Sequence, residues 1–264
     1  MKIGLGQLDI VWENKKQNQI KCEQMLKEAK KNSVDLLIFP EMTLTGFSMN
    51  TNVIGENFEA SDTIAFFQKK SIEYQMAIVF GYVEKTDKKA LNRLVFIDRG
   101  SILIHYAKIH PFSFGEENLY YQCGNTLGQC VFGNFHMSTI ICYDLRFPEL
   151  FQACSKKSEV MVVIANWPQT RVEHFRALLK ARAIENQCYV IGVNRVGEGK
   201  GLIYEGSSGI YDPYGQLITK ETNSEQLIIG EIEKNIVINC RKEFPQQNDK
   251  RFSLYCSLYK NELF

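Results

Sequence analysis

The chain reads as an α/β protein, and three features of its sequence predict this class. Residues 34–39 and 160–165 (Val-Met-Val-Val-Ile-Ala in the second case) are apolar almost throughout, the composition of strands buried on both faces. Amphipathic stretches of helical period, residues 14–31 and 170–185, stand between such runs. The buried runs then end in polar residues, Glu41, Cys142 and Asn166. In layered α/β proteins, ligands bind where strand ends gather.

Taken in order, residues 3–10 alternate well enough for a strand. Residues 14–31 set Ile20, Met25, Leu26 and Ala29 on one side and lysines on the other, predicting a helix. Pro40 stops the strand at 34–39, and Thr45-Gly46-Phe47-Ser48 forms a flexible turn able to lie over a site. A helix over 61–74 precedes strands at 76–84, 91–99 and 102–108, with Gly100-Ser101 as a hairpin turn. A polar, aromatic loop covers 113–124. Strands follow at 130–132 and 136–142, then a helix at 148–155 with Pro148 in its first turn, and a buried strand at 159–166. Thr170 and Glu173 fit a capping box opening a long helix to about residue 185. A strand at 189–194, glycine-rich turns through 206–212, a hairpin at Pro213-Tyr214-Gly215 and further strands reach residue 232. Residues 233–264 are charged and aromatic with no periodic core pattern, and read as packing on another surface. Residues 1–264 are expected to form a single domain, with 243–264 as a C-terminal tail.

The formal net charge is +1, with no long run of one sign. That excludes the basic field of a nucleic-acid or membrane-surface binder and favours a small-molecule partner. The N-terminal residues lack a basic segment leading into an apolar core, and no apolar run reaches the ~18 residues of a membrane span. A cytoplasmic protein with no membrane partner is expected. The eight cysteines contain no Cys-x-x-Cys pair and the four histidines no ligand pair at metal-site spacing, so reduced thiols, no metal and no cofactor are expected.

The candidate chemistry centres on residues 137–150. A β-rich run ends in Cys142, and Tyr143-Asp144-Leu145-Arg146 leads to Phe147-Pro148, where a helix can begin. A side chain on such a strand–turn–helix junction stands above the sheet edge, with neighbouring backbone N–H groups facing outward toward a developing anion. On its own, Cys142 is better read as a buried core thiol ending a strand, and only partners make it a nucleophile. Glu41 ends a buried strand, where an ionised group without partners costs several kcal/mol; it either braces a loop or does chemistry. Lys108 also ends a strand, where a lysine often just solvates an edge. Together the three suit acyl transfer. A free thiol is only a few per cent thiolate at neutral pH and needs a base, while a nearby ammonium raises the thiolate fraction and stabilises a tetrahedral oxyanion.

The motifs Phe39-Pro40-Glu41-Met42, Ala107-Lys108-Ile109-His110 and Ile141-Cys142-Tyr143-Asp144-Leu145-Arg146-Phe147-Pro148-Glu149 resemble, in the same order, those of the nitrilase superfamily of carbon–nitrogen hydrolases. Asn166-Trp167-Pro168, residues 181–187 and Asn194-Arg195-Val196-Gly197 are similar to its bacterial omega-amidase branch, whose enzymes hydrolyse the side-chain amide of 2-oxoglutaramate or 2-oxosuccinamate. The resemblance covers residues 2–245. It implies a four-layer α-β-β-α sandwich, commonly paired through one helical layer into a homodimer. It also implies roles for particular residues: Glu41 as general base and acid, Lys108 as oxyanion stabiliser, Cys142 as nucleophile and Glu117 as supporting carboxylate, with Glu116 the competing choice. Tyr143 would contribute its backbone N–H. Arg146, Arg171 and Arg176 are candidates for a substrate carboxylate, although Arg146 fits a brace paired with Glu149 or Asp144 as well. Trp167 and Phe112 would form an apolar wall.

Three alternatives stand beside this reading: an amidase for another small amide, such as a deaminated-glutathione or N-carbamoyl substrate; a non-catalytic binding protein of the same fold; and a papain-like thiol protease, whose cysteine would need His110 or His174 as base.

Overall fold

The apolar runs pair into two sheets. In the computed structural model, which describes residues 1–262, β1 (Lys2–Gln7), β2 (Leu36–Ile38) and β3 (Ala77–Glu84) lie parallel, and β4 (Leu91–Asp98) and β5 (Ser101–Ala107) extend them as antiparallel hairpins. The second sheet holds β6 (Gly128–Phe132), β7 (Phe135–Ile141), β8 (Val160–Ala165) and β9 (Tyr189–Asn194), with β7, β8 and β9 parallel. β10 (Val196–Gly199) and β11 (Leu202–Glu205) form a separate two-stranded ribbon. β12 (Gly209–Tyr211) closes one edge of the second sheet and β13 (Gln226–Glu231) one edge of the first. The strand orders are β13-β1-β2-β3-β4-β5 and β12-β9-β8-β7-β6.

Alternate side chains of a strand point to opposite faces, and here both faces are covered, which is why the central strands are apolar almost without interruption. From β2, Leu37 packs with Cys22, Met25 and Leu26 of α1 (Lys15–Lys31), beyond α2 (Thr51–Ile54) joined by Phe67 of α3 (Asp62–Tyr74). Leu36 and Ile38 belong instead to a core shared with the second sheet, where Met137, Ile140 and Val162 lie. Past α4 (Glu117–Tyr120), Phe151 of α5 (Pro148–Ser155) and Phe175, Leu179 and Ala183 of α6 (Val172–Asn186) pack into the same core. The layers therefore run helix, sheet, sheet, helix, as expected.

Register brings the functional ends together. Leu5 pairs with Ile38, Ile38 with Val79, and Ala165 with Asn194, so the carboxyl ends of the parallel strands share one edge. β5 runs in the direction of β3, because β4 is antiparallel to both. The residues following β2, β5, β7 and β8 emerge at that edge.

Three expectations are corrected. The first strand ends at Gln7; the chain then leaves the sheet, held by an isolated bridge from Asp9 to Val196. The capping box at Thr170 does not form: residues Gln169–Arg171 make a 3₁₀ turn, α6 starts at Val172, and no side chain caps it. The Trp167 indole N–H donates to the Arg171 carbonyl at 2.7 Å and fixes that turn instead. Residues 233–243 are not a pattern-free extension: α7 (Lys234–Glu243) buries Val237 and Cys240, while Arg241 donates to the carbonyls of Gln187 and Ser158. Beyond it, α8 (Phe252–Glu262) leaves Phe252, Tyr255, Leu258 and Tyr259 exposed. Leu263 and Phe264, the end of the expected tail, lie outside the described residues. Among the described residues, no helix is long and apolar enough to cross a membrane.

Candidate active site

Glu41 leaves β2 on a loop that lies flat against β3. A Cβ on Gly81 would sit 2.4 Å from the Met42 nitrogen and 2.9 Å from the Glu41 Cα, so only glycine at that position lets the loop approach. Met42 itself has φ of 45°. The Glu41 carboxylate then accepts from four donors' directions: Lys108 Nζ at 3.0 Å and Asn92 Nδ2 at 2.7 Å on Oε1, and the Asn166 backbone N–H at 2.9 Å and Nδ2 at 3.5 Å on Oε2. Asn166 Nδ2 also reaches the Glu41 carbonyl at 2.6 Å, tying the ends of β2 and β8 together.

Lys108 follows β5 and is as fully buried as Glu41. Its ammonium lies 2.9 Å from Glu117 Oε2 as well as 3.0 Å from Glu41, and 5.2 Å from the centre of the Phe47 ring. Glu117, at the start of α4, is held by the Phe112 backbone N–H at 2.5 Å and by Asn92 Nδ2 at 2.9 Å. Glu116 is exposed, with φ of 60°. The buried carboxylate facing Lys108 is thus Glu117.

Cys142 opens the 3₁₀ turn Cys142–Arg146 with φ of 45°, a left-handed conformation costly for a residue with a Cβ. Asp144, fully buried, over-determines the turn. Its carboxylate accepts from the Tyr106 hydroxyl at 2.7 Å and the His110 backbone N–H at 2.8 Å, and lies 2.9 Å from His110 Nδ1. Because Tyr106 and His110 flank Lys108 in sequence, Asp144 locks the cysteine turn and the lysine segment onto one frame.

The electrostatics follow from burial and pairing. Burial alone would lower the Lys108 pKa, but Glu117 and Glu41 outweigh it and hold the ammonium well above its usual value. Burial pushes the Cys142 thiol well up and the Glu41 charge adds to this, while Lys108 and the Asn166 backbone pull it down. The Glu117 carboxyl is raised, by burial first and by Glu41, against the pull of Lys108. The thiol therefore rests protonated, beside a carboxylate able to accept its proton.

A cleft opens over these groups, lined by Lys108, Cys142, Tyr143, Phe112, Arg146 and Trp167 among others. Every candidate for catalysis or substrate contact except Arg176 is brought to it or directly behind it. Arg146 pairs with neither Glu149 nor Asp144. Its guanidinium lies over the Trp167 ring at 4.8 Å, with Nη2 3.3 Å from His174 Nδ1. Arg171 lies over the Phe112 ring at 5.5 Å and also lines the cleft. Arg176 does not, being engaged by Glu173 at 2.6 Å and Glu221 at 3.4 Å. His110 is occupied by Asp144 and stacks on Phe147 at 3.7 Å. Among the described residues no histidine lines the cleft, which removes the papain-like alternative.

Phe47 belongs to the turn expected over a site, whereas Asn92, Asp144 as an organiser, and the cleft residues Leu202 and Tyr204 were not singled out from the sequence. Asp144 carried a faint signal, a carboxylate two residues past the cysteine. Asn92 carried none, since its partners lie 51 and 25 residues away.

Comparison with known proteins agrees with this arrangement. The family model described as carbon-nitrogen hydrolase matches residues 2–242. The omega-amidase YafV of Escherichia coli K12 is 30% identical over 251 residues, covering 94% of this chain and 96% of that protein. The 2-oxoglutaramate amidase of Bacillus subtilis is 30% identical over 253 residues, covering 94% and 97%. Among solved structures, XC1258 of Xanthomonas campestris, described as a CN-hydrolase superfamily protein with an arsenic adduct in its active site, superposes with a TM-score of 0.89 at 29% identity over 95% of this chain and 97% of that one. The chain belongs to the carbon–nitrogen hydrolase family.

Proposed function

We propose that the protein is an amidase that hydrolyses the terminal amide of a small 2-oxo dicarboxylic acid monoamide, 2-oxoglutaramate or 2-oxosuccinamate, through a cysteine thioester. The observation that carries the amidase reading is the buried Glu41–Lys108–Glu117 cluster, 0–1% exposed, opening on the same cleft as Cys142.

In this scheme Glu41 takes the thiol proton as Sγ attacks the amide carbon. An ammonium has three N–H donors; two of Lys108's are directed to Glu41 and Glu117, leaving the third for the oxyanion, with the Tyr143 backbone N–H as second donor. The C–N bond breaks and ammonia leaves with the proton from Glu41. Glu41 then takes a proton from water, whose oxygen attacks the thioester; the acid departs and the proton returns to the sulfur. Glu117 holds Lys108 in place and, through Asn92, is linked to Glu41.

The substrate class rests on the far side of the cleft. Arg146 and Arg171 line it, each against an aromatic ring and neither in an ion pair among the described residues. Guanidinium groups so placed suit a carboxylate, and Phe112 and Trp167 supply walls for a short methylene chain. The names of the two relatives, omega-amidase and 2-oxoglutaramate amidase, support the same class. A deaminated glutathione amidase of Escherichia coli O157:H7 is 28% identical over 264 residues, so its substrate class belongs in the test.

Ammonia release from 2-oxoglutaramate, 2-oxosuccinamate, deaminated glutathione, a carbamoyl amino acid and an uncharged amide separates the readings. The 2-oxo dicarboxylic monoamides are expected to give the highest kcat/KM, and Cys142→Ala no turnover of any of them. An uncharged amide turned over as well as 2-oxoglutaramate would overturn the substrate class; turnover by Cys142→Ala would overturn the mechanism.

A further inference from the structure

The cleft holds a tyrosine hydroxyl that this chemistry leaves unused. Tyr204, on β11, lines the cleft together with Cys142 and Arg171 and is 3% exposed. Among the described residues its hydroxyl makes no hydrogen bond, and its charge interactions with Cys142, Glu41 and Arg171 set it among the groups of the site. A tyrosine this deeply placed ordinarily has a partner for its O–H.

The ring packs against a fixed neighbour. The Arg195 guanidinium lies 4.5 Å from its centre. Arg195 is itself fully buried and donates to the carbonyls of Val196, Ile10 and Glu198 at 2.8–3.1 Å. The side chains of Gln169 and Glu205 join the ribbon, one residue past Tyr204, to the turn that carries Arg171. The phenol is neutral at ordinary pH: burial raises its pKa to about 12, with Arg195 opposing. The result is a rigid, uncharged donor beside two guanidinium groups.

We propose that Tyr204 is a substrate-binding residue that donates its hydroxyl proton to the 2-oxo oxygen, selecting 2-oxo acid amides over those lacking that group. The proposal rests on the substrate class given above and refines it. A carboxylate calls for the guanidinium groups, whereas the neighbouring ketone oxygen is a neutral acceptor and suits a neutral O–H. A 2-amino group in the same place would bring an ammonium toward Arg146 and Arg171. A site built to hydrogen-bond a substrate group also discriminates against analogues without it, because its own polar atom is left unpaired.

The test compares 2-oxoglutaramate with glutaramate, the same chain without the 2-oxo group, on wild-type protein and Tyr204→Phe. Phenylalanine keeps the ring on Arg195 and removes only the hydroxyl. For 2-oxoglutaramate the variant is expected to raise KM about five- to tenfold with kcat within twofold, the size of one neutral hydrogen bond; for glutaramate KM should fall or hold and should not rise, because the unpaired hydroxyl is gone. Equal losses on the two substrates, or no loss on either, overturn the role of Tyr204. Wild-type protein with no preference for 2-oxoglutaramate overturns the 2-oxo reading itself, and the proposal with it, before any variant is made.

Discussion

Two clusters of charge are built on strands β3, β4 and β5, on opposite faces. Asn92 and Arg93 are successive residues of β4, and the pleat sends them apart. Asn92 reaches Glu41 and Glu117 in the site; Arg93 Nε reaches Glu84 at 2.5 Å, beside His105 and Tyr82. The outer side chains of Glu84, Arg93 and His105 keep 15–22% of their surface, whereas Glu41, Lys108 and Glu117 keep 0–1%. The outer group is capped by Phe58, stacked on His105 at 4.4 Å, and lines no part of the cleft. Similar residues thus brace a surface in one place and store reactive charge in the other. Exclusion of water and an opening onto a cleft make that difference, not the residue types.

The sharpest way to break this comparison is to remove the cation from each cluster. Lys108→Met leaves two buried carboxylates without their counter-ion, and losing one partner of a buried ion pair costs about 3–5 kcal/mol. It also removes the proposed oxyanion donor, an expected loss of about 10²–10³ in kcat. Arg93→Met acts on a partly solvated pair and is expected to cost about 1 kcal/mol or less, with kcat/KM unchanged. Thermal melts and steady-state kinetics of the two variants read both effects; equal destabilisation would erase the distinction.

A smaller effect is expected at Asn92. Its Nδ2 donates to Glu41 and Glu117 together and so sets their spacing around Lys108. Asn92→Ala should lower kcat about 10–100-fold through misplaced carboxylates, while leaving KM within about twofold. A KM rise at constant kcat would place Asn92 on the substrate instead of behind the catalytic groups.

The part of the site visible in the sequence was the part written at strand ends. Glu41, Lys108 and Cys142 each interrupt an apolar run with a group that such a position does not favour, and those signals are local. Asn92 is hidden because a single polar residue in a half-buried strand looks the same whether it faces solvent or a carboxylate 51 residues away. Arg146 drew the wrong partner because sequence proximity offered Asp144 and Glu149, while folding committed Asp144 to Tyr106 and His110. The same blindness to distant partners hid α7: Val237 and Cys240 make only one short stripe, and it becomes a core face only when Arg241 meets the carbonyls at the ends of α5 and α6. The four-layer order, by contrast, follows from central strands apolar on both faces.

The outer cluster predicts the smallest effect, visible only in acid. Burial, and then Arg93, lower the His105 pKa from 6.5 to about 4, so the folded protein keeps the ring neutral, with Nε2 2.8 Å from the Tyr82 hydroxyl. The unfolded chain takes up a proton near pH 6.5 and the folded one does not until about pH 4. Across that window the unfolded state binds more protons, so stability falls as pH falls. The contribution of a group that keeps a fifth of its surface is on the order of 1–2 kcal/mol between pH 7 and 4.5. His105→Gln, which cannot titrate, is expected to melt less steeply with acid than wild type while its activity at neutral pH is unchanged. Parallel curves of melting temperature against pH for the two proteins would show that His105 titrates alike in both states, and that the outer cluster is more open to water than its packing under Phe58 implies.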